Sequence, residues 1–178
     1  MNAAIPNLTL HNGVEIPQVG FGTYKVTDDA TRIIGDALSL GYRHLDGAQM
    51  YLNEVQVGEA WKASGVAREE LFLTSKLNNS NHEPEAARFA QTLEELQTDY
   101  VDLFLIHWPL PMYYCGDFVT TWKVMEEFLA DGRARAIGVS NFEPNQLERI
   151  MDECDVAPMV NQIESQPYFP NYAVHDFC

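Results

Sequence analysis

Short apolar runs alternate with longer amphipathic stretches along most of this 178-residue chain. The runs have the length and apolar content of strands that are buried on both faces, and the stretches between them repeat apolar residues at helical spacing. The predicted strands cover residues 19–22, 42–46, 71–76, 101–107, 134–140 and 160–164. Four of the predicted helices cover residues 53–63, 118–129, 144–151 and 170–178. Two more are predicted, one that is capped by Asp28 and Asp29 and one that begins at Pro84.

The residues before the first of these strands carry a separate hairpin signal. Two short alternating runs within residues 8–16 flank the dipeptide Asn12-Gly13. A type I′ turn requires positive φ at both of its central positions, and Asn-Gly strongly favours it. We therefore predict an N-terminal β-hairpin that is closed by a type I′ turn.

The regular alternation of strands and helices predicts a parallel sheet with right-handed crossovers. An open doubly wound sheet and a closed barrel both fit this order. The barrel is favoured because polar residues collect at the carboxyl ends of the strands, and because Gly-Phe-Gly at 20–22 is too short for a dinucleotide-binding fingerprint. The predicted fold class is therefore α/β, an incomplete (β/α)8 barrel of the TIM type, in one domain over residues 1–178. Because six of the eight strands are present, we expect the chain to stop before the barrel closes.

The net charge of −15 argues against nucleic acid or an anionic membrane surface as a partner, since both need a basic face. No apolar stretch approaches the ~20 residues of a membrane span, and the N-terminus lacks the basic and apolar regions of a signal peptide. The cysteines lack paired or metal-ligand spacing, which is typical of a reducing compartment, and they are Cys115, Cys154 and Cys178. These features predict a cytoplasmic protein without a metal site.

Four polar residues stand at the carboxyl ends of successive predicted strands or just beyond them, and they are Asp46, Tyr51, Lys76 and His107. The ends of adjacent barrel strands converge on one cleft, so the four side chains can meet there. Each alone has an ordinary explanation, since a single Lys or Tyr is usually a surface residue and a His that closes an apolar strand is more often a core residue. Together they suit the reduction of a carbonyl group, which needs an acid beside a hydride donor.

Tyr51 is the candidate acid, and the pKa of a free tyrosine, about 10, is high for this work. Lowering it by about 3 units corresponds to about 4 kcal/mol, which one ammonium at about 4 Å supplies at an effective dielectric constant of ~20. We therefore expect Lys76 to lower the pKa of Tyr51 in a partly dry cleft. Asp46 would hold Lys76 in place, and a neutral His107 would hydrogen-bond the substrate oxygen.

At these residues the sequence resembles the aldo-keto reductase family, in particular its bacterial 2,5-diketo-D-gluconate reductase-like members. The matching motifs are Gly-Phe-Gly-Thr-Tyr-Lys at 20–25, Gly-Tyr-Arg-His-Leu-Asp at 41–46, Leu-Thr-Ser-Lys at 73–76, Asp-Leu-Phe-Leu-Ile-His-Trp-Pro at 102–109, Ala-Ile-Gly-Val-Ser-Asn-Phe at 136–142 and Val-Asn-Gln-Ile-Glu at 160–164. The resemblance implies the NADPH-dependent reduction of an aldehyde or ketone to an alcohol. It also implies that the four polar residues form a catalytic tetrad with Tyr51 as the general acid.

The resemblance further implies the residues that bind the cofactor and the substrate. The positions matched to the cofactor are Gly22, Thr23, Asp46, Ser140, Asn141 and Gln162, of which the last three match residues that hold the nicotinamide carboxamide. The positions matched to the substrate pocket are Tyr24, Tyr51, His107 and Trp108. Ordinary apolar packing is the alternative explanation for Tyr24 and Trp108.

The sequence departs from the family pattern in three places. Gly47 stands where Thr or Ser is usual, and Ser165-Gln166 replaces the usual Tyr-His before Pro167. The chain also ends before the seventh and eighth strands, which in the family supply the residues that grip the adenosine phosphates. We therefore expect very weak NADPH binding, and an inactive truncated fragment is the alternative to an active reductase.

Two further expectations concern other chemistry and other partners. A metal-dependent barrel hydrolase that uses His44, Asp46, His107 and Glu164 is a remote alternative, because it leaves Tyr51 and Lys76 unexplained. The partner expected from the resemblance is a small-molecule carbonyl substrate, with a monomeric full-length form. An unclosed barrel has two strand edges with unpaired backbone groups, so we expect this chain to self-associate through them.

Overall fold

The strands of the fold lie in the order that the sequence predicts. The computed structural model describes residues 6–78, 80, 85–110 and 117–178. Its strands are β1 Asn7–Thr9, β2 Glu15–Pro17, β3 Phe21–Gly22, β4 His44–Asp46, β5 Phe72–Leu77, β6 Leu103–Ile106, β7 Ile137–Ser140 and β8 Asn161–Gln162. Strands β1 and β2 form the predicted antiparallel hairpin, and β3 to β8 form one parallel sheet in sequence order. This unreversed order is that of a (β/α) barrel and not of a doubly wound sheet.

Helices connect the parallel strands and cover the outer face of the sheet. They are α1 Ala30–Ser39, α2 Glu54–Ser64, α3 Glu85–Glu95, α4 Phe118–Ala130, α5 Pro144–Glu153 and α6 Tyr172–Phe177, with short 3₁₀ turns at Gln49–Tyr51 and Arg68–Glu70. Pro84, Cys115 and the segment 111–116, for which the sequence analysis made predictions, lie outside the described residues. Among the helices that the structure describes, none is both long and apolar enough to cross a bilayer.

Alternate residues of the central strands point to opposite faces of the sheet. Phe104 and Ile106 of β6 point outwards into a large apolar core beneath the helices. Leu103 and Leu105 point inwards and pack in a smaller cluster with Phe72. The residues of the hairpin region that pack against this inner cluster are Leu10, Val14 and Ile16. The N-terminal hairpin therefore covers the inner apolar cluster of the barrel.

The sheet is strongly curved. The side-chain amide of Gln162 in β8 donates to Asp46 Oδ2 in β4 over 2.7 Å. Four strand spacings separate β4 from β8, a distance of about 19 Å on a flat sheet, because neighbouring strands lie about 4.8 Å apart. The strands must therefore wrap around a common interior, as they do in a barrel.

The hairpin turn differs from the prediction. Gly13 has a φ of 86°, but Asn12 is not among the described residues with positive φ, so the predicted type I′ turn is wrong. Hydrogen bonds from Gly13 N to Leu10 O and from Leu10 N to Val14 O define a three-residue loop instead. The cause is tertiary, because the Asn12 side chain donates to the carbonyl oxygen of Arg135, far away in sequence.

The start of α1 also differs from the prediction. Asp29 occupies the N-cap position, but its backbone is left-handed, with φ 53°, and its side chain makes no capping hydrogen bond. The carboxylate instead faces Arg32 Nε at 3.5 Å. The predicted capping role of Asp28 and Asp29 is therefore wrong, and α1 is stabilised chiefly by its buried apolar face, which includes Ile34 and Leu38.

Candidate active site

The four predicted catalytic residues lie at the carboxyl ends of the strands. Asp46 is the last residue of β4, Lys76 lies next to the end of β5, and His107 directly follows β6. Tyr51 lies in the 3₁₀ turn after β4. The structure brings all four together at one mouth of the curved sheet, since Tyr51 contacts both Lys76 and His107.

Lys76 is the most buried of these groups, with 1% of its surface exposed. Its Nζ donates to Asp46 Oδ1 at 2.5 Å and to the carbonyl oxygen of Gly47 at 2.7 Å. Burial lowers the pKa of Lys76, and the negative charge of Asp46 opposes that shift. Because Gln162 also donates to Asp46, the carboxylate is oriented from two sides.

Tyr51 lies between aromatic and cationic neighbours. Lys76 Nζ is 5.2 Å from the centroid of the Tyr51 ring, and the rings of Tyr24 and His107 lie at centroid distances of 5.0 and 5.8 Å. Among the residues that the structure describes, no hydrogen bond is made by the phenol hydroxyl. The Tyr51 side chain is half-buried.

The pKa of Tyr51 moves in the direction opposite to our prediction. Burial, followed by the negative charges of Asp46 and Tyr24, raises the pKa of Tyr51 to about 12. The predicted lowering is wrong for this arrangement, because burial outweighs the effect of the ammonium, which is paired with Asp46. Tyr51 is a phenol throughout the neutral range, as a free tyrosine also is, and its raised pKa makes release of the proton less favourable.

His107 is neutral at physiological pH. Burial, followed by the positive charge of Lys76, lowers the pKa of His107 to about 4. This agrees with the sequence analysis, which expected a neutral imidazole at this position. A neutral ring can donate one N–H to an oxygen in the cleft without adding a second cation beside Lys76.

The positions matched to the nicotinamide carboxamide lie at the ends of β7 and β8. The Ser140 hydroxyl donates to the backbone oxygen of Gln162 at 2.9 Å, and the Asn141 amide donates to His107 O and to Ser140 Oγ. Asn141 has a left-handed backbone, with φ 63°. The donor set of one hydroxyl and two carboxamides provides both donors and acceptors, which is what an amide ligand requires. These residues therefore fit the carboxamide end of a nicotinamide cofactor.

The first loop contributes differently from what the sequence suggested. Thr23 is fully buried, and its backbone N–H and its hydroxyl both donate to the carbonyl oxygen of Asp46. Gly22 is exposed, and an added Cβ would meet open space. Thr23 thus fixes the backbone of the carboxylate that pairs with Lys76, while Gly22 leaves room at the mouth of the barrel.

Tyr24 and Trp108 are both exposed, so the alternative explanation of ordinary apolar packing does not hold for them. Tyr24 packs its ring against Tyr51. Tyr24 therefore lies beside Tyr51, and Trp108 is adjacent to His107 in the chain.

Three polar residues near Tyr51, two of them buried and one half-buried, escaped the analysis of candidate side chains. They are Gln49, Asn53 and Glu54. A polar pair two residues after a candidate acid is a signal that could have identified Asn53 and Glu54. For Gln49 the sequence contains no such signal, because its partners lie on other elements.

The residues of the alternative metal site are not assembled. Among the described residues, no group of three or more His, Cys, Asp or Glu side chains could hold a metal ion. His44 Nε2 instead forms a hydrogen bond with Thr74 Oγ1 at 2.9 Å. Glu164 is exposed and lies beyond the end of β8.

Comparison with known proteins identifies the family of the chain. Residues 18–178 match the Aldo/keto reductase family. The chain is 46% identical over 173 residues to a glyoxal reductase of Bacillus subtilis, and that match covers 95% of this chain and 61% of the relative. The chain thus spans about three fifths of the length of this relative.

Solved structures show the same relationship. A crystal structure of an aldo/keto reductase from Brucella melitensis superposes with a TM-score of 0.92 at 43% identity, covering 97% of this chain and 68% of that one. A Bombyx mori aldo-keto reductase, solved in complex with NADP, gives a TM-score of 0.85 at 34% identity and covers 94% and 62% of the two chains. The chain therefore belongs to the aldo/keto reductase family.

Proposed function

We propose that this chain carries the catalytic residues of a cytoplasmic NADPH-dependent reductase that converts an aldehyde or ketone to an alcohol. The observation that carries the proposal is the cluster of Tyr51, Lys76, Asp46 and His107 at one end of the sheet. The family of the chain and the name of its Bacillus relative support the same class of reaction.

Tyr51 is the proton donor in this proposal. Bound NADPH supplies a hydride to the carbonyl carbon. The hydroxyl of Tyr51 gives its proton to the carbonyl oxygen, so that the C=O bond becomes an alcohol and Tyr51 is left as a phenolate. The phenol carries its proton throughout the neutral range, so the proton is in place before the reaction begins.

Lys76 acts on the charge that appears when the proton leaves Tyr51. Lys76 Nζ lies 5.2 Å from the centroid of the Tyr51 ring, so the ammonium would offset part of the negative charge of the phenolate. Asp46 and Gly47 hold the ammonium in place through hydrogen bonds at 2.5 and 2.7 Å, so no reorganisation is needed during the reaction.

His107 orients the substrate. A neutral imidazole donates a hydrogen bond to the carbonyl oxygen, and its ring lies 5.8 Å from the ring of Tyr51. The oxygen would therefore sit between the imidazole and the phenol. Tyr24, whose ring lies 5.0 Å from that of Tyr51, would contact the substrate at the side of the cleft that faces solvent, and exposed Trp108 is proposed for the same role.

The cofactor would be held at the ends of β7 and β8. Ser140, Asn141 and Gln162 would hydrogen-bond the carboxamide, and Gly22 would line the mouth, while buried Thr23 would hold the backbone of Asp46. Gln162 also donates to Asp46, so the same residue links the cofactor position to the catalytic ion pair. NADPH is preferred over NADH on the family resemblance.

The first experiment tests turnover by this 178-residue chain. NADPH oxidation with glyoxal is followed by absorbance, because a relative of the chain is a glyoxal reductase. We expect Tyr51→Phe to lower kcat by roughly 10²–10⁴-fold, since it removes the transferable proton. Tyr168→Phe, at a side chain that is 97% exposed, is the matched control and should keep the activity of the parent.

NADPH binding is measured separately by fluorescence titration. Turnover that survives in Tyr51→Phe would overturn the role of the tyrosine. A parent chain that binds NADPH but reduces no aldehyde or ketone would overturn the proposed reaction. A parent chain without measurable NADPH binding would favour the alternative of an inactive fragment.

A further inference from the structure

The turn that carries Tyr51 has little structure of its own. It spans only Gln49–Tyr51, and its internal hydrogen bonds run from Tyr51 N to Ala48 O and from Leu52 N to Gln49 O. Leu52 then adopts a left-handed backbone, with φ 57°, although it is not glycine. Such a conformation costs roughly 1–2 kcal/mol and persists only when the surroundings impose it. Other parts of the molecule must therefore hold this turn.

Gln49 provides one of these restraints. Its Nε2 donates to the backbone oxygen of Arg88 at 3.2 Å and to Thr92 Oγ1 at 3.0 Å, both on α3. Its Oε1 accepts the backbone N–H of Asn78 at 2.9 Å, directly after β5. One side chain thus fastens the turn to a helix and to the end of the strand that carries Lys76.

The same hydrogen bonds continue to the strand itself. The hydroxyl of Thr92, which accepts from Gln49, donates to Glu54 Oε2 at 3.2 Å. Glu54 Oε1 in turn accepts from Ser75 Oγ at 2.5 Å. Ser75 precedes Lys76, and the two side chains point to opposite faces of β5. The network of Gln49, Thr92, Glu54 and Ser75 therefore lies behind the sheet, with Lys76 in front of it.

Asn53 restrains the other end of the turn. Its Nδ2 donates to the carbonyl oxygens of Thr23 and Val26, both at 2.9 Å. Tyr51 consequently lies between two fixed residues, one tied to the first loop and the other tied to α3 and β5. The distance from the phenol to Lys76 depends on both.

We propose that Gln49 is a positioning residue for the reaction described above, because it sets the placement of Tyr51 relative to Lys76 without touching the reacting atoms. This inference rests on the proposed function. It assigns a role to a side chain on the outer side of the sheet, away from the cleft. The hydroxyl of Thr92 links Gln49 to Glu54 by hydrogen bonds, and Glu54 is in turn bonded to the strand that carries Lys76.

The test compares Gln49→Ala, Gln49→Glu and Thr92→Val with the control Gln91→Ala. Gln91 is an exposed residue of the same type whose side chain bonds only within α3, to Arg88 and Glu95. The ionisation of Tyr51 is followed by NMR with labelled tyrosine, the resonance being assigned by its loss in Tyr51→Phe. This readout needs no turnover, so it stays informative if the chain is not an active reductase.

In the parent we expect Tyr51 to remain a phenol at a pH near 10, where a free tyrosine is about half ionised. In Gln49→Ala the turn loosens and admits water, so Tyr51 should ionise at lower pH. Gln49→Glu keeps the oxygen that accepts from Asn78 but loses the hydrogen bonds that Gln49 donates to Arg88 and Thr92. Thr92→Val removes the hydroxyl that links Gln49 to Glu54. Both variants should lower the pKa of Tyr51 by less than Gln49→Ala does. Gln91→Ala should titrate like the parent.

Turnover gives a second readout if the parent is active. We expect a kcat that is roughly 10- to 100-fold lower in Gln49→Ala, with KM nearly unchanged, because the acid is misplaced while binding is retained. Folded variants in which Tyr51 titrates as in the parent would overturn the proposal. If Gln49→Ala does not fold, the isosteric Gln49→Glu and Thr92→Val decide the question by the same criterion.

Discussion

The middle of the sheet and its two ends differ in how completely they are covered. Every residue of β5, β6 and β7 is buried, and each of these strands has a neighbour on both sides. Strands β3 and β8 have two residues each, pair on one side within the described chain, and are half-buried or exposed. Aromatic residues beyond β8 are also exposed, namely Tyr168, Phe169 and Tyr172. Strand length and burial thus depend on having two partners.

The candidate site draws on both regions. Lys76 and His107 belong to the buried middle, whereas Gly22 and Gln162 belong to the ends. The bond from Gln162 to Asp46 joins the two across the interior. Lys76 and His107 are therefore held by well-packed strands, whereas Gly22 and Gln162, which are proposed for the cofactor, lie on the less well-packed ones.

The largest effect on stability is expected from a substitution that leaves a cavity in the middle of the sheet. Phe104 is fully buried and packs its ring 4.3 Å from that of Phe89. Phe104→Ala should lower the free energy of unfolding by roughly 3–5 kcal/mol, measured by urea denaturation. Phe169→Ala, at a side chain that is 52% exposed near the end of the sheet, should cost less than about 1 kcal/mol. Equal losses in the two variants would contradict the difference between the regions.

A buried carboxyl in the middle should make stability depend on pH. Burial, followed by Glu95, raises the pKa of Glu54 from 4.5 to about 7, against the hydrogen bonds from Ser75 and Thr92. An acid whose pKa is raised on folding stabilises the folded state only while it is protonated, so this stability is lost as pH rises from about 4.5 through 7. Glu54→Gln should therefore gain about 3 kcal/mol relative to the parent over that range.

This dependence is measured by urea denaturation at several pH values. Glu164→Gln, at an exposed residue beyond β8, is the matched control and should change the free energy of unfolding by less than about 0.5 kcal/mol. A difference between Glu54→Gln and the parent that stays constant with pH would show that Glu54 is ionised in the folded protein at acidic pH.

The smallest expected effect is weak self-association of the 178-residue chain through the two ends of its sheet. Unpaired backbone groups on β3 and β8 and the exposed Tyr168 favour pairing between copies. Sedimentation velocity should show larger species as concentration rises. Tyr168→Glu should weaken them by adding like charge, whereas Leu40→Glu, on a residue after α1 that is 81% exposed, should not. A sharp monomeric unfolding transition at all concentrations would contradict this expectation.

The sequence analysis predicted the middle of the fold better than its ends. Residues 71–76 were predicted as a strand and β5 covers Phe72–Leu77, because an almost continuous apolar run has few other solutions. For the sixth parallel strand, residues 160–164 were predicted and only Asn161–Gln162 form it. The local pattern is strand-like there, but a second neighbour that would extend the pairing is not among the described residues.

The identity of the site residues was likewise more predictable than their electrostatics. Asp46, Lys76 and His107 follow apolar strands directly, so their convergence follows from the topology of a parallel barrel. The direction of the pKa shift of Tyr51 was not predictable, because it depends on burial and on the ion pair between Asp46 and Lys76. The type of the hairpin turn was missed for a similar reason, a contact of Asn12 with distant Arg135.

By itself, the sequence determined the order of strands and helices and which polar residues stand at strand ends, since both follow from the local alternation of apolar and polar positions. Only the tertiary structure decided the curvature that brings Gln162 to Asp46 and the hydrogen bonds of Gln49 behind the sheet. It also decided the direction of the pKa shift of Tyr51, which is upward because the side chain is partly buried. These properties depend on distances between residues far apart in the chain, and on the loss of water around them, which no local pattern records.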